Sequence, residues 1–175
     1  TKFSSVSAGA AHTCAVDNYS GSFCWGLGNR GQLGYGGWTS GESTPVSVDN
    51  ITTANSVSAG GEHTCAVLSS GTVKCWGKGT SGRLGNNSTG NQAFPVSVNN
   101  ITTATSVSAG GNHSCAVLSG GTVKCWGYGS AGRLGNGSTS SYASPVSVDN
   151  ITTATSVSAA GEGAHTCAVL SGGTV

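Results

Sequence analysis

The sequence predicts an all-β protein, and three observations lead to this prediction. Residues 6–56, 57–106 and 107–156 align almost without gaps, and a further copy of the same unit occupies residues 157–175. Each unit contains short β-favouring stretches separated by glycine-rich or polar connections. No stretch has the 3.6-residue apolar period of an α-helix, so no helix is predicted. Four short strands at a period of about fifty residues are typical of one blade of a β-propeller, which is therefore the predicted fold.

The strands of one unit can be placed in order along the second copy. A first short strand covers residues 56–59. Two longer β-favouring stretches, 63–68 and 72–76, follow and are joined by a three-residue hairpin loop, 69–71, whose glycine can adopt a positive φ. The last predicted strand, 95–98, opens with a proline, which is tolerated at the first position of a strand. The unit is thus predicted to be a four-stranded antiparallel meander.

One tryptophan recurs at the same place in every complete unit, at Trp25, Trp76 and Trp126. Small residues such as Ala59 and Gly60 surround the predicted strands and would let neighbouring sheets approach closely. A large ring at one fixed position is suited to fill the space between two such sheets. We therefore interpret these tryptophans as wedges between adjacent blades and not as ligand-binding groups.

The motifs of the unit, taken together, resemble the repeat of the regulator-of-chromosome-condensation family. They read A-G-x-x-H-[TS]-C-A-V, then G-T-V-K-C-W-G, then G-[RQ]-L-G, then P-V, and they cover essentially the whole chain. The resemblance implies a propeller of seven four-stranded blades with about one repeat per blade. Residues 1–175 would then form one partial propeller of about 3.5 blades. We expect both ends of the sequence to be cuts within a longer propeller.

Seven cysteines fall into pairs ten positions apart, with one left over. If 69–71 is the hairpin loop, Cys65 lies directly opposite Cys75, at a separation that a disulfide can bridge with modest adjustment. The predicted disulfides are Cys14–Cys24, Cys65–Cys75 and Cys115–Cys125. The partner of Cys167 would fall at position 177, so Cys167 is unpaired in this sequence. Free thiols remain an alternative, whereas ten-residue spacing does not suit a structural zinc site.

Disulfides indicate an oxidising compartment, and this predicts an extracellular or cell-surface location. Asn-Ile-Thr begins at Asn50, Asn100 and Asn150, each time just after the fourth predicted strand in a turn. The motif is an N-glycosylation acceptor in a secreted protein, so these three asparagines are the glycosylation candidates. The alternative is simple turn chemistry, because asparagine favours turns.

The charge balance excludes several kinds of partner. Only 7% of the residues are charged, and the net charge is +1. We therefore predict no nucleic-acid partner and no polybasic contact with a membrane. No apolar run is long enough for a membrane span.

The sequence offers no catalytic or metal-binding constellation. One histidine recurs in every unit (His12, His63, His113 and His165), and we interpret it as a structural strand residue whose ring bonds neighbouring backbone. Arg83 and Arg133 are matched by Gln32, so a hydrogen bond within the blade is preferred to anion binding. We predict no catalytic residue, no metal, no cofactor and no enzymatic activity.

Binding is expected in the loops that differ between repeats, because function often lies on variable loops of a constant frame. These loops contain four aromatic residues: Tyr35, Trp38, Phe94 and Tyr142. They could anchor a protein or a glycan. They could equally be lids packed on their own blades.

The leading functional hypothesis is an extracellular structural or adhesive propeller scaffold that mediates protein or glycan contacts at a cell surface or matrix. Copies of the chain itself are among the expected partners, since near-identical repeats permit head-to-tail assembly. A secreted protein binder or inhibitor is the first alternative, because a secreted β-lactamase inhibitor shares the fold that the family resemblance implies. Guanine-nucleotide exchange on a small GTPase, the role of the family's founding member, is the second, but paired cysteines do not suit a reducing nucleus.

Overall fold

The computed structural model describes residues 2–161 and 163–175 and consists of fourteen strands in four sheets. Three sheets are four-stranded antiparallel meanders, blades 1 to 3, and the fourth contains two strands, blade 4. Blade 1 comprises β1 (Phe3–Ala8), β2 (His12–Asp17), β3 (Ser22–Gly28) and β4 (Thr39–Ser47); blade 2, β5 (Ala54–Ala59), β6 (His63–Leu68), β7 (Val73–Gly77) and β8 (Gln92–Ser97); blade 3, β9 (Ala104–Ala109), β10 (His113–Leu118), β11 (Val123–Gly127) and β12 (Tyr142–Ser147); blade 4, β13 (Ala154–Ala159) and β14 (Thr166–Leu170).

The central hairpin of each complete blade has the predicted register. In blade 2 the backbone N–H of Leu68 donates to the carbonyl oxygen of Thr72 at 2.9 Å, and Cys65 faces Cys75. The outer boundaries differ from the prediction. The first strand begins two residues earlier, at Ala54, and the fourth begins at Gln92, so that Pro95 lies inside the strand and not at its start. An irregularity in the β7–β8 register permits this extension.

Two short 3₁₀ turns, Thr80–Gly82 and Ser130–Gly132, lie in the glycine-rich connection after the third strand. The sequence predicted no helix, and these single turns are the difference. Each contains a non-glycine residue in the left-handed region, Ser81 and Ala131, both with φ of 62°. Such a local conformation leaves no periodic apolar signal, because only three residues are involved.

The apolar core lies between the blades. The Trp76 side chain is fully buried between blades 1 and 2, and its indole N–H donates to the carbonyl oxygen of Gln32 in blade 1 at 2.9 Å. Trp126 repeats this contact one interface further, with the carbonyl oxygen of Arg83. Trp25 on blade 1 is half-buried and lies beside Phe3. The predicted wedge role is therefore observed for Trp76 and Trp126.

The meander sends the connections of each blade alternately to two opposite faces of the molecule. We call one face the loop face: it carries the connections between the first and second strands, and between the third and fourth strands, of each blade. The opposite face, the turn face, carries the hairpins between the second and third strands and the links from one blade to the next. The loop face carries residues 9–11, 29–38, 60–62, 78–91, 110–112 and 128–141. The turn face carries residues 18–21, 48–53, 69–72, 98–103, 119–122 and 148–153.

Candidate functional site

The aromatic residues of the variable loops divide into two held and two exposed side chains. The hydroxyl of Tyr35 donates to Oε1 of Glu42 in its own blade at 2.8 Å, and this hydrogen bond raises the pKa of Tyr35. Its ring packs against the core between blades 1 and 2, and Tyr142 packs against the core between blades 3 and 4. Tyr35 and Tyr142 thus act as lids. By contrast, Trp38 is 56% exposed and Phe94 is 53% exposed.

Phe94 lies over the preceding blade's loop and not over its own blade. An added Cβ on Gly36 would stand 2.3 Å from Cζ of Phe94, so the ring covers this glycine directly. Gly36 has φ of +89° and donates its N–H to the carbonyl oxygen of Ala93 at 3.0 Å. Trp38 follows Gly36 by two residues. The loop of blade 1 and the outer strand of blade 2 therefore bring Phe94 and Trp38 to one region of the loop face.

The next interface has the same backbone contact with polar side chains. The N–H of Asn87 donates to the carbonyl oxygen of Ala143 at 2.9 Å, as Gly36 does to Ala93. The position of Phe94 is taken by Ser144, whose hydroxyl lies 3.5 Å from Oδ1 of Asn87. The fold thus accommodates a small polar residue where blade 2 exposes an aromatic ring.

A small charged cluster joins blades 1 and 2 on the loop face. Glu62 forms salt bridges with Lys78 and, at 3.5 Å, with Arg30. The Lys78 hydrogen bond holds the pKa of Glu62 below its usual value. The cluster contains two positive charges and one negative charge, so one positive charge of the three groups is not compensated.

The recurrent histidines are buried and link neighbouring blades through hydroxyl groups. Nε2 of His12 lies 2.8 Å from Oγ1 of Thr64, and this hydroxyl donates to the carbonyl oxygen of Gln32 at 2.9 Å. Because the Thr64 hydroxyl donates its hydrogen to the carbonyl, its oxygen must accept a hydrogen bond from His12, which requires the Nε2–H tautomer. The carbonyl oxygen of Gln32 also accepts the indole N–H of Trp76, so two side chains, Thr64 and Trp76, converge on one backbone oxygen.

The same relay occurs at the next two interfaces. His63 contacts Ser114 at 2.7 Å, and Ser114 donates to the carbonyl oxygen of Arg83 at 3.1 Å. His113 contacts Thr166 at 2.7 Å, and that hydroxyl donates to the carbonyl oxygen of Arg133 at 2.9 Å. The structural interpretation of the histidines fits this geometry, but their partner is a hydroxyl and not the backbone. The partner of each histidine is the Ser or Thr that directly follows the histidine of the next repeat. This recurrent Ser or Thr is the sequence signal that could have identified the partner.

Burial keeps these imidazoles neutral. Desolvation lowers the pKa of His12 and of His113 to about 4, and it lowers that of His63 well below the ordinary value. The chemistry available to them is therefore hydrogen bonding between blades. Solvent and substrate do not reach His63 or His113, which are fully buried.

Arg83 bridges two blades and does not form an open anion site. Its Nε donates to the carbonyl oxygen of Thr80 in its own blade at 3.0 Å, and a terminal nitrogen donates to that of Gly111 in blade 3 at 2.8 Å. The predicted bond within the blade is thus only half of its role. In Arg133, Nε likewise donates to the carbonyl oxygen of Ser130 in its own blade, and the guanidinium carbon lies 4.7 Å from the centre of the Tyr128 ring.

Three disulfides join the second and third strands of the complete blades, with Cα atoms 4.1 Å apart: Cys14–Cys24, Cys65–Cys75 and Cys115–Cys125. All six cysteines are fully buried. Cys167, on β14, is exposed and carries a free thiol.

The glycosylation candidates lie together on the turn face. Asn50, Asn100 and Asn150 are exposed and adopt left-handed conformations with φ between 52° and 59°. This geometry explains why the repeat retains asparagine there, since asparagine tolerates positive φ better than most residues. The Asn50 side-chain amide donates to Oδ2 of Asp49.

Among residues 2–161 and 163–175, no group of three or more His, Cys, Asp or Glu side chains could hold a metal ion. In the same part of the chain, no helix is long and apolar enough to cross a membrane. The candidate functional site is the loop face, because Trp38 and Phe94 are exposed there.

Repeated four-stranded antiparallel sheets packed face against face define a β-propeller protein. The chain belongs to the regulator of chromosome condensation (RCC1) repeat family, whose profile matches residues 22–67, 70–117 and 120–169. A second RCC1 repeat profile matches residues 55–83 and 104–133. The family expected from the motifs is thus confirmed. RCC1-like propellers generally serve as interaction or exchange-factor domains.

The curated relatives share only a short segment with this chain. Human HERC3, described as a probable E3 ubiquitin-protein ligase, is 38% identical over 89 residues, which are 50% of this chain and 8% of HERC3. Likeness to HERC3 therefore supports the repeat and no more.

Solved structures confirm the propeller fold. Human WBSCR16 matches with a TM-score of 0.80 at 20% identity, over 90% of this chain and 42% of that one. Prp20p from Saccharomyces cerevisiae matches with 0.77 at 22% identity, over 91% and 42%. The ectodomain of the Arabidopsis thaliana receptor kinase ACR4 matches with 0.56 at 20% identity, over 97% and 46%. The fourteen strands thus correspond to about 3.5 propeller blades, and the chain spans less than half of each matched structure.

Proposed function

We propose that this chain is part of an extracellular or cell-surface propeller that acts as a non-catalytic scaffold for protein or glycan contacts. The observation that carries the proposal is one buried disulfide in each complete blade, at the same hairpin register. Disulfides of this kind form and persist in oxidising compartments and are rare in the cytosol and nucleus. A disulfide that is repeated in every complete blade is part of the fold and not a single redox switch.

Two further observations support the extracellular assignment. The Asn-Ile-Thr acceptors at Asn50, Asn100 and Asn150 lie exposed on the turn face. The ACR4 structure is described as the ectodomain of a receptor kinase, so a propeller of similar fold occurs outside a cell in that protein. Glycans on the turn face would leave the loop face as the surface for partners, including copies of the chain itself.

The interaction role is supported by the distribution of variation between blades. The relay of histidine, hydroxyl and carbonyl groups is the same at three interfaces. By contrast, the loops between the third and fourth strands of the blades differ in length and composition. Binding proteins commonly vary their loops on a rigid scaffold. Partner recognition is accordingly assigned to the loop face.

The decisive experiment is non-reducing peptide mapping of the native protein after thiols are blocked with iodoacetamide, combined with labelling of intact cells by a membrane-impermeant biotin reagent. We expect the three disulfide-linked peptides, surface biotinylation and a mass loss on treatment with an N-glycosidase. Alkylated Cys65 and Cys75 in material blocked at lysis, with no surface label, would overturn the proposal. That result would instead favour an intracellular role such as nucleotide exchange, for which Prp20p, described as binding Gsp1p and histones, is the structural precedent.

A further inference from the structure

We infer that Trp38 and Phe94 form a platform on the loop face that binds neutral glycans. This inference rests on the proposed function, and it names the ligand class and the residues that bind it. The two residues come from neighbouring blades: the Phe94 ring covers Gly36, and Trp38 lies two residues further along the same loop. Since two residues of extended chain span at most about 7 Å, the Cα atom of Trp38 lies close to the glycine that the Phe94 ring covers.

The repeat frame does not require either aromatic ring. The other complete repeats place Thr89 and Thr139 at the position of Trp38. They place Thr44 and Ser144 at the position of Phe94, and Ser144 hydrogen-bonds across the interface to Asn87. Small hydroxyl residues therefore suffice for folding at both positions. Ligand contact would account for two large aromatic side chains that lie close together, are more than half exposed and are not required by the repeat.

The shape and charge of the platform favour a saccharide over a peptide. Protein hot-spot residues lie mostly in well-packed concave pockets, but neither the cavity beside blade 4 nor the cavity lined by Gly9, Gly60 and Gly111 includes either ring. A flat exposed ring is suited to stack against the C–H face of a sugar, and the neighbouring loop residues supply uncharged hydroxyl and amide groups. Glu42, the nearest acid in the loop sequence, is already bonded to Tyr35. The ligand expected from this chemistry is an uncharged oligosaccharide.

The test is a titration of the oxidised, ¹⁵N-labelled chain with three neutral hexasaccharides, of β-1,4-glucose, β-1,4-mannose and β-1,4-N-acetylglucosamine, followed by NMR. We expect at least one of them to shift the Trp38 indole N–H signal saturably, while the buried Trp76 and Trp126 signals stay in place. The Trp38 signal is assigned from its loss in Trp38→Thr. Phe94→Ser should weaken binding by roughly fivefold to tenfold, as expected for the loss of one aromatic contact.

Matched variants separate a binding defect from a folding defect. Trp38→Thr and Phe94→Ser introduce residues that sibling repeats already carry, so both should unfold at the wild-type temperature. Tyr19→Ser removes an aromatic side chain that is 89% exposed on the turn face and should leave binding unchanged. The triple variant Asn87→Gly, Thr89→Trp, Ser144→Phe should create a second platform and double the binding stoichiometry.

The outcomes are distinct from those of the disulfide test. No response to any of the three saccharides at millimolar concentration, or equal binding by wild type and Phe94→Ser, would overturn the glycan assignment. So would a protein ligand that wild type captures and Phe94→Ser loses without any saccharide response. In each of these cases intact disulfides and surface labelling would leave the proposed function standing.

Discussion

Nε2 of His63 lies 2.7 Å from the hydroxyl oxygen of Ser114, a residue 51 positions further along the chain in the neighbouring blade. The Ser114 hydroxyl donates a hydrogen bond to the carbonyl oxygen of Arg83, which belongs to blade 2. The pair is fully buried, so neither group can exchange its partner for water. This relay holds two blades together at a point where the sheets share no strand pairing.

Replacing the bridging hydroxyl should weaken the interface between blades 2 and 3. Ser114→Ala leaves the N–H of His63 without an acceptor and removes one hydrogen bond to the Arg83 carbonyl oxygen. The free energy of unfolding should fall by about 1–3 kcal/mol. Ser114→Thr should be close to neutral, because Thr64 and Thr166 occupy the same position in other blades. Urea unfolding followed by tryptophan fluorescence measures both. Equal stability of Ser114→Ala and wild type would contradict the relay.

Mild acid should destabilise the protein through its buried histidines. His12 and His113 have pKa values of about 4 in the folded chain, because burial disfavours the charged ring, against about 6.5 when unfolded. Between these values the unfolded state binds more protons, so stability is retained above about pH 6.5 and lost as the pH falls toward 4. Each residue should cost about 1–2 kcal/mol between pH 7 and 5. Urea midpoints measured across this range test the slope.

The matched control for the acid effect is His113→Gln, whose amide can still donate to Thr166 but does not titrate. It should flatten the slope relative to wild type. Carboxylates contribute little above pH 5, because their ordinary pKa values lie below it. A stability that does not change between pH 7 and 5 would show that the rings are not buried as neutral groups.

Opening one disulfide should destabilise the chain without abolishing the fold of the other blades. The paired substitution Cys65→Ala, Cys75→Ala removes a cross-link that constrains the unfolded chain, with an expected loss of about 2–4 kcal/mol. Cys167→Ser is the control, since this thiol is exposed and unpaired, and it should change the midpoint little. Thermal unfolding monitored by circular dichroism distinguishes the two. Identical midpoints for both variants would argue against a structural role of the Cys65–Cys75 bridge.

A glycine at the end of the third strand should resist substitution. Gly77 has φ of +103°, and an added Cβ would stand 2.7 Å from the carbonyl oxygen of Glu62, so Gly77→Ala combines backbone strain with a clash. A loss of more than about 1 kcal/mol is expected. Gly120→Ala is the control, because no atom lies within 4 Å of the added Cβ. Unfolding midpoints that rank the two variants in reverse order would refute this account.

The sequence predicted well those features that depend on local pairing. A three-residue hairpin with a glycine at its end determines which residues face each other, so the Cys65–Cys75 register followed from counting alone. The repeat period and family motifs led to the four-stranded blade. The early start of β8 at Gln92 was missed, because an irregular register between β7 and β8 depends on backbone geometry that side-chain patterns do not encode.

Contacts between blades were harder to predict. The partner of His12 is Thr64, and the distance between them in sequence becomes short only when two sheets pack face to face. The same holds for Phe94, which lies on Gly36 of the preceding blade. A prediction from one repeat at a time assigned the histidine to local backbone and considered the aromatics as lids on their own blades. The contacts of His12 and Phe94 were missed because the neighbouring repeat supplies them, whereas Tyr35 and Tyr142 do act as lids.

The relay also bears on how such a protein can change over generations. Its histidine and hydroxyl partners are separated by 52, 51 and 53 residues at the three interfaces, so each junction is encoded by one repeat and the next. Recombination between near-identical tandem copies adds or deletes whole units. Any such event joins two repeats that already carry matching halves of a junction. Blade number can therefore change by gain or loss of whole repeats while each blade keeps a matching contact with its neighbour.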